Sequence, residues 1–390
     1  MGKNLTTPFK ELLVRLNGSE GIPRVSYIVS AGMMSFTREV AEEIGIPRVS
    51  FWTSGGCGYW AFLQIPELIR RGYTPLKDMA CLAEGYLDTT LDWIPGMPNI
   101  LLKDMPSFIR TTDPNFFLLN YIKDEVQHAF NASALILNTF DDLEKDVLNA
   151  IKERIPCPLY TLGPLLTFSH DVTKEEVKPI STSLWKEESE CLDWLDSHQP
   201  RSVIYVNFGS ITVLTPHQLN EFAWGLANSE KPFIWIIRQG LVQGESTTLS
   251  HDFYDKTKGR GLIASWCNQK KVLSHSSIGG FLTHSGWNSI LESICSGVPV
   301  LCWPFFAEQQ TNCRFACVEW GIGMEIGDDV KRQKVETQVK EMIEGLKGMK
   351  MRANAMKWKE SSERAIGSGG SSSENLDRLV VEVLLKKHGE

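Results

Sequence analysis

The sequence predicts an α/β protein made of two doubly wound, parallel-sheet domains, and three observations predict it. Short apolar runs alternate with helix-period segments along nearly the whole chain, the pattern of parallel strands joined by helical crossovers. A length of 390 residues suits two domains, each long enough to bury a core. Between the two alternating series, Leu166 to Pro200 is polar, charged and poor in strand signals, so it reads as an interdomain linker. The expected organisation is a first domain over 1–165, the linker over 166–200, a second domain over 201–370 and a final helical tail over 371–390.

Composition narrows the class. Hydrophobic content of 42% with 22% charged residues is that of a soluble globular protein. A net charge of −7 argues against nucleic acid or an anionic membrane surface as a general partner. No apolar run approaches the length of a membrane span, and no segment reads as a signal peptide. The nine cysteines are scattered, odd in number and without a C-x-x-C pair. They predict reduced thiols in a cytoplasmic protein.

In the first series, Phe9 to Leu16 has helical spacing and Val25 to Ser30 is an apolar strand ending at Ala31-Gly32, with a helix following through Glu42. Arg48 to Trp52 is a second strand, leading through Thr53 to a helix over Tyr59 to Arg71. A proline-punctuated region runs to Ile109. Then come a helix over Phe116 to Phe130, a strand over Ala134 to Asn138, a helix over Leu143 to Ile155 and a strand over Leu159 to Leu162.

The second series opens with a strand over Ser202 to Phe208, whose carboxyl end carries Gly209-Ser210, a weak phosphate-facing loop when taken alone. A helix over Pro216 to Asn228 and a strand over Pro232 to Arg238 follow; Gly240 to Arg260 reads as a long loop. Gly261 to Ser265 is the strand leading into Trp266. After Gln309 come helices over Thr311 to Trp320, Lys334 to Leu346 and Met349 to Ile366, with a short strand over Gly323 to Ile326. Gly367 to Ser373 reads as a flexible break and Glu374 to Lys387 as the last helix.

The chemistry concentrates between Trp266 and Gln309. Ile278 to Thr283 is a buried-strand run, His284-Ser285-Gly286 a tight turn, and Trp287 to Cys295 a helix closed by Gly297 and Pro299; Val298 to Trp303 is the next strand. A strand, a small-residue turn and a helix N-terminus make an anion site, because the first N–H groups are unpaired and the helix dipole favours negative charge. His284, Asn288 and Ser289 add donors there, and Glu292, one turn beyond Asn288, offers a carboxylate to ribose hydroxyls. Trp266 presents a flat face to a base, and Glu308-Gln309 follow the next strand where open α/β sheets bind ligands. Pyrophosphate, ribose, base and a polyol are all provided for. Alone, Trp266 or Trp287 is more ordinarily a core aromatic, and Phe281, Cys295 and Cys302 read as core.

Over its whole length this stretch resembles the signature box of plant family-1 UDP-glycosyltransferases, enzymes of the GT-B fold with two Rossmann-like domains. The resemblance implies that Trp266 stacks on uracil and the Cys267 main chain bonds it, with Gln269 and Glu292 on the ribose. It places His284, Asn288 and Ser289 on the diphosphate, beside which the Gly209-Ser210 loop gains credibility; Trp287, Glu308 and Gln309 on the sugar, which Thr53 also helps to place; and the terminal Gln in its glucose-associated form. Asn268 stands where the family has Pro, a change expected to alter the loop more than the chemistry. The similarity continues in V-S-Y-I-V-S-A-G-M-M-S-F-T, F-W-T-S and I-L-N-T-F-D-D-L-E, and is nearest to the subgroup that glucosylates iridoids, cyanohydrins and similar small plant metabolites. It implies an acceptor-binding first domain, a tail helix crossing back to it, and inverting transfer from UDP-glucose to a small hydroxylated aglycone. UDP-glucose is then a substrate, with no cofactor and no metal. The sequence shows no G-x-G-x-x-G after a strand, no phosphate loop ending in G-K-S/T, and no metal-spaced His/Cys cluster.

The same resemblance implies a base that this sequence does not supply. Sugar transfer to a hydroxyl needs a group to take the acceptor's proton, by family a His after the first strand oriented by an Asp after a later one. The first histidine is His128, and the position of the orienting Asp holds Ala31. The first domain is expected to be incomplete by about three strand–helix units, roughly 90 residues at about 30 each. Two readings stand side by side: a truncated glucosyltransferase, and a pseudoenzyme that keeps its donor site. An incomplete sheet is also expected to self-associate through its open edge.

Overall fold

The computed structural model describes residues 3–168, 187–188, 190–244 and 249–386. Most of the expected linker, and Lys387 at the end of the last expected helix, lie outside them. The chain divides into two compact units, Met1–Phe168 with Arg364–Glu390, and Ser169–Glu363.

The first unit holds a four-stranded parallel sheet in the order β1-β2-β3-β4, formed by Ile28–Ala31, Arg48–Trp52, Ala134–Leu137 and Leu159–Thr161. The interior strand β3 is buried at every position, as an apolar run covered on both faces must be. β1 is an edge strand, and Val29 in its middle is 52% exposed. Helix Lys3–Asn17 covers one side of this edge, burying Leu13 with Ile28 and Val40 and setting Phe9 edge-on to Phe36.

The single helix expected over Tyr59 to Arg71 is two, Gly56–Leu63 and Ile65–Arg70, because Pro66 has no N–H to continue the first ladder. The buried Glu144 carboxylate accepts from the Gly56 and Cys57 N–H groups, both at 2.7 Å, and so fixes the turn that follows β2 and Thr53. The tail helix begins at Ser371, inside the stretch expected to be a flexible break. Ser372 Oγ donates to the Gly163 carbonyl at 2.6 Å, Asn375 Nδ2 to Thr161 Oγ1 at 2.8 Å, and Tyr160 OH to Glu382 at 2.8 Å. Leu379 and Val383 join the apolar cluster of Val49, Ile136 and Tyr160.

The second unit holds six parallel strands: β5 Val203–Asn207, β6 Phe233–Ile236, β7 Gly261–Ala264, β8 Ile278–Thr283, β9 Val300–Cys302 and β10 Gly323–Glu325. Their order is β10-β9-β8-β5-β6-β7. From β5 the chain builds outward to β7, then returns to the other side of β5 to lay down β8, β9 and β10. The crossovers therefore reverse between β5 and β8, and the crevice above their carboxyl ends is the topological switch point where such sheets bind ligands.

Among the described residues, helices also lie where none was expected. His251–Thr257, inside the stretch read as a loop, is capped by Ser250 Oγ, which accepts from the Phe253 N–H at 3.3 Å, and its Phe253 packs on Phe233. Seven residues are too few for periodicity to announce a helix. Glu190–Asp196, in the expected linker, buries Cys191 and Leu195 and packs against β7 and helix Gln269–Leu273.

Candidate functional site

The loops after β5 and β8 meet at the switch point. β8 runs into His284; Ser285 then adopts a left-handed conformation (φ 64°), and extended Gly286 leads into helix Trp287–Ser296. A non-glycine residue in that region is strained and persists only when its surroundings hold it. Here the holding groups are visible. Ser285 N–H donates to Thr283 Oγ1 at 3.3 Å, and the Ser285 carbonyl accepts from the buried Asn312 Nδ2 at 3.0 Å.

The His284 ring is wedged between two glycines. A Cβ on Gly209 would lie 2.6 Å from His284 Cε1, and one on Gly286 would lie 2.4 Å from Nε2, so neither position accepts a side chain without moving the imidazole. Gly209 also has φ +73°, and its N–H donates to Asn207 Oδ1 at 2.9 Å. Buried Arg238 clamps this loop from behind, with Nε on the Gly209 carbonyl at 2.8 Å and Nη2 on the Thr212 carbonyl at 2.6 Å. Burial holds the His284 pKa down at about 4; the Arg238 charge pushes the same way and the Asn207 main chain opposes. The imidazole is therefore neutral near pH 7 and able to donate one N–H. Asn288, exposed, and Ser289, nearly buried, sit in the first helical turn, where main-chain N–H groups point out of the helix end.

A second cluster lies beside the first. Gln269 Nε2 donates to Glu292 Oε2 and, at 3.2 Å, to Ser289 Oγ. Its Oε1 accepts from Asn207 Nδ2 at 2.8 Å and from Tyr205 OH at 3.1 Å. Tyr205 OH also lies 3.4 Å from Cys267 Sγ, so the Cys267 side chain is committed to the interior. Glu292 is half-buried, and burial raises its carboxyl pKa. Trp266, half-buried, follows β7, and its carbonyl accepts from the Glu188 N–H at 3.0 Å.

The third group follows β9. Ala307 (φ 59°) is a second strained residue, and Glu308 stands at the N-cap position of helix Gln309–Arg314 without a side-chain capping bond. Burial raises the Glu308 carboxyl. Gln309 Oε1 accepts from the Phe305 and Phe306 N–H groups, both at 2.9 Å, which fixes the side chain and turns its amide NH2 away from that loop.

The structure thus brings Gln269, His284, Ser289 and Glu292 around one crevice, with Asn288 on the same helix turn and Ser210 exposed next to Gly209. Trp287 is 3% exposed, and its ring packs on Trp320 with centroids 6.0 Å apart. Thr53 is exposed at the carboxyl end of β2 in the other unit. Sequence reading missed Tyr205, Asn207, Arg238 and Asn312. A polar residue closing an apolar strand two positions before a glycine was the available signal for Asn207, and none existed for the others.

A family profile described as "UDP-glucoronosyl and UDP-glucosyl transferase" matches residues 84–361. The chain belongs to this family. A 7-deoxyloganetin glucosyltransferase from Gardenia jasminoides is 56% identical over 97% of the chain and 79% of its own length. An (R)-mandelonitrile beta-glucosyltransferase from Prunus dulcis is 52% identical over 98% of the chain and 80% of its own length. This UDP-glycosyltransferase is a plant family-1 member of that subgroup. Among solved structures, Phytolacca americana UGT2 complexed with UDP-2fluoro-glucose and pterostilbene superposes with a TM-score of 0.80 at 29% identity, over 96% of this chain and 80% of the other. A UDP-glucosyltransferase from Polygonum tinctorium gives 0.82 at 28%, over 99% and 81%. The fold of this UDP-glycosyltransferase is GT-B, with its two parallel sheets.

Proposed function

We propose that the second unit binds UDP-glucose and that the family reaction is inverting transfer of glucose to a hydroxyl of a small plant metabolite. The observation that carries this reading is the meeting of Gly209, His284 and the Trp287–Ser296 helix end with the Gln269–Glu292–Ser289 cluster at one switch point. Diphosphate takes the neutral His284 N–H and the helix N-terminus, ribose takes Glu292 and Gln269, and the base takes Trp266 with the Cys267 main chain. Asn288 and Ser210 flank the phosphates; Trp287, Glu308 and Gln309 serve the sugar. Preorganised donors of this kind stabilise the departing diphosphate without a metal. UDP-glucose is consumed as a substrate, and the partner is a small hydroxylated aglycone bound by the first unit.

A specific observation favours a second reading, a UDP-sugar-binding chain with transfer near background. Ala31, at the carboxyl end of β1, carries a methyl group where a carboxylate is implied. His128 precedes β3 and so lies at the opposite, amino edge of that sheet, where its Nδ1 is 3.8 Å from Glu125 Oε2 and its carbonyl accepts from Arg48. Neither residue can hold the acceptor's proton, and such help is worth about 10²–10⁴ in rate. Calorimetry with UDP tests the donor site; absence of binding by the folded chain refutes it. Glucoside formation with a panel of small alcohols, phenols and cyanohydrins tests catalysis. Transfer near background is expected, Ala31→Asp alone does not restore it, and robust turnover by these 390 residues overturns the account. The exposed edge of β1 supports self-association through the first sheet. The nine unbridged cysteines support a reducing, cytoplasmic setting.

A further inference from the structure

Beside the crevice turn, at the strand that pairs with Thr283, three thiols from separate elements converge. Cys302 ends β9, Cys313 lies in helix Gln309–Arg314, and Cys317 lies one turn on in the π-wound stretch Phe315–Glu319. Their Sγ atoms all lie within 4.8 Å of one another, with Cys313 and Cys317 at 4.0 Å. Cys302 and Cys313 are buried, while Cys317 is partly exposed, so the cluster is closed behind and reachable in front. A cysteine packs well as a small hydrophobe, but packing alone does not require three sulfurs to face one point. π-winding widens a helix locally and is frequent at functional sites.

We propose that Cys302, Cys313 and Cys317 form a trigonal site for one soft monovalent cation of the copper(I) class. Three sulfurs each about 2.3 Å from a shared ion stand about 4.0 Å apart, so the observed spacing closes on such an ion with small side-chain shifts. An all-thiol ligand set selects soft cations over hard ones. No histidine or carboxylate among the described residues completes the four ligands that zinc prefers. On binding, each coordinating thiol gives up its proton to solvent and the sulfur binds as thiolate; the oxidation state of the ion does not change. The site stands independently of the donor reading, although it joins β9 to the helix that carries Gln309 and Asn312.

The test is anaerobic titration of the reduced full chain with copper(I) held by a competing chelator. The native chain is expected to take up one ion with a thiolate charge-transfer band in the ultraviolet. Cys302→Ser and Cys313→Ser each weaken uptake by about 100-fold or more, beyond the loss typical of an outer-shell partner. Cys191→Ser, at the other close thiol pair, leaves it unchanged. Should a buried variant misfold, the native chain still decides: one equivalent of copper(I) must slow alkylation of the partly exposed Cys317. No uptake, equal uptake by native and Cys313→Ser chains, or unprotected Cys317 in the copper-loaded chain overturns the proposal.

Discussion

Replacing Gly209 with alanine tests the architecture of the crevice at its tightest point. Two costs add. The residue sits at φ +73°, where an L side chain pays about 1–2 kcal/mol. The new Cβ would also lie 2.6 Å from His284 Cε1, and restoring an ordinary contact of 3.4 Å moves the ring by about 0.8 Å. The ring has little room to retreat, because Gly286 closes on Nε2 from the other side. Such a shift takes the imidazole out of bonding distance of a phosphate oxygen, and a bond to a charged group is worth about 1.5–3 kcal/mol. The expected outcome is UDP binding weakened by about 10- to 150-fold in calorimetry, with Tm lowered by about 2–8 °C. Gly259→Ala separates the two effects. Gly259 has φ +80° but nothing within 4 Å of its built Cβ, so this variant should lose comparable stability and keep its UDP affinity. Should Gly209→Ala bind UDP within twofold of the native chain, His284 does not hold the diphosphate and the site as described is wrong.

Three further outcomes are expected. Glu292→Ala, which strips Gln269 of a partner, should weaken UDP binding by about 1–3 kcal/mol, read by the same calorimetry; an unchanged Kd removes Glu292 from the ribose. The depressed His284 pKa contributes stability above the ordinary histidine value of 6.5 that is lost as pH falls toward about 4, where the unfolded chain holds a proton the folded one lacks. Denaturant unfolding should therefore show the native chain's stability relative to His284→Asn rising with pH between these values and levelling above them; a flat difference contradicts a neutral, buried imidazole. Val29→Lys, on the exposed edge of β1, should shift any self-associated chain toward monomer in sedimentation, since an edge lysine blocks strand pairing.

The second unit was legible where function is local. The strand–turn–helix over 278–296 forms as read, and its helix end exposes N–H groups whatever surrounds it. Glu292 follows Asn288 by one turn for the same geometric reason. The alternation of apolar runs with helical segments likewise determined two parallel sheets, since parallel strands need crossovers.

Tertiary structure decided what depends on partners distant in sequence. Pairing of β5 with β8 sets Asn207 against Gln269 and Gly209 against His284, across more than sixty positions that no periodicity connects. Trp287 opens the helix after the turn, and only packing set its ring against Trp320. Arg238 and Asn312 hold loops by bonding carbonyls, groups that every residue carries and that no sequence pattern marks. The three thiols had no recognisable spacing at 302, 313 and 317, because a strand end and a helix turn meet only once the sheet is built. Sequence alone determined the strands of both sheets and the helix turn on which the proposed donor chemistry rests; the sheet order determined which elements lie together.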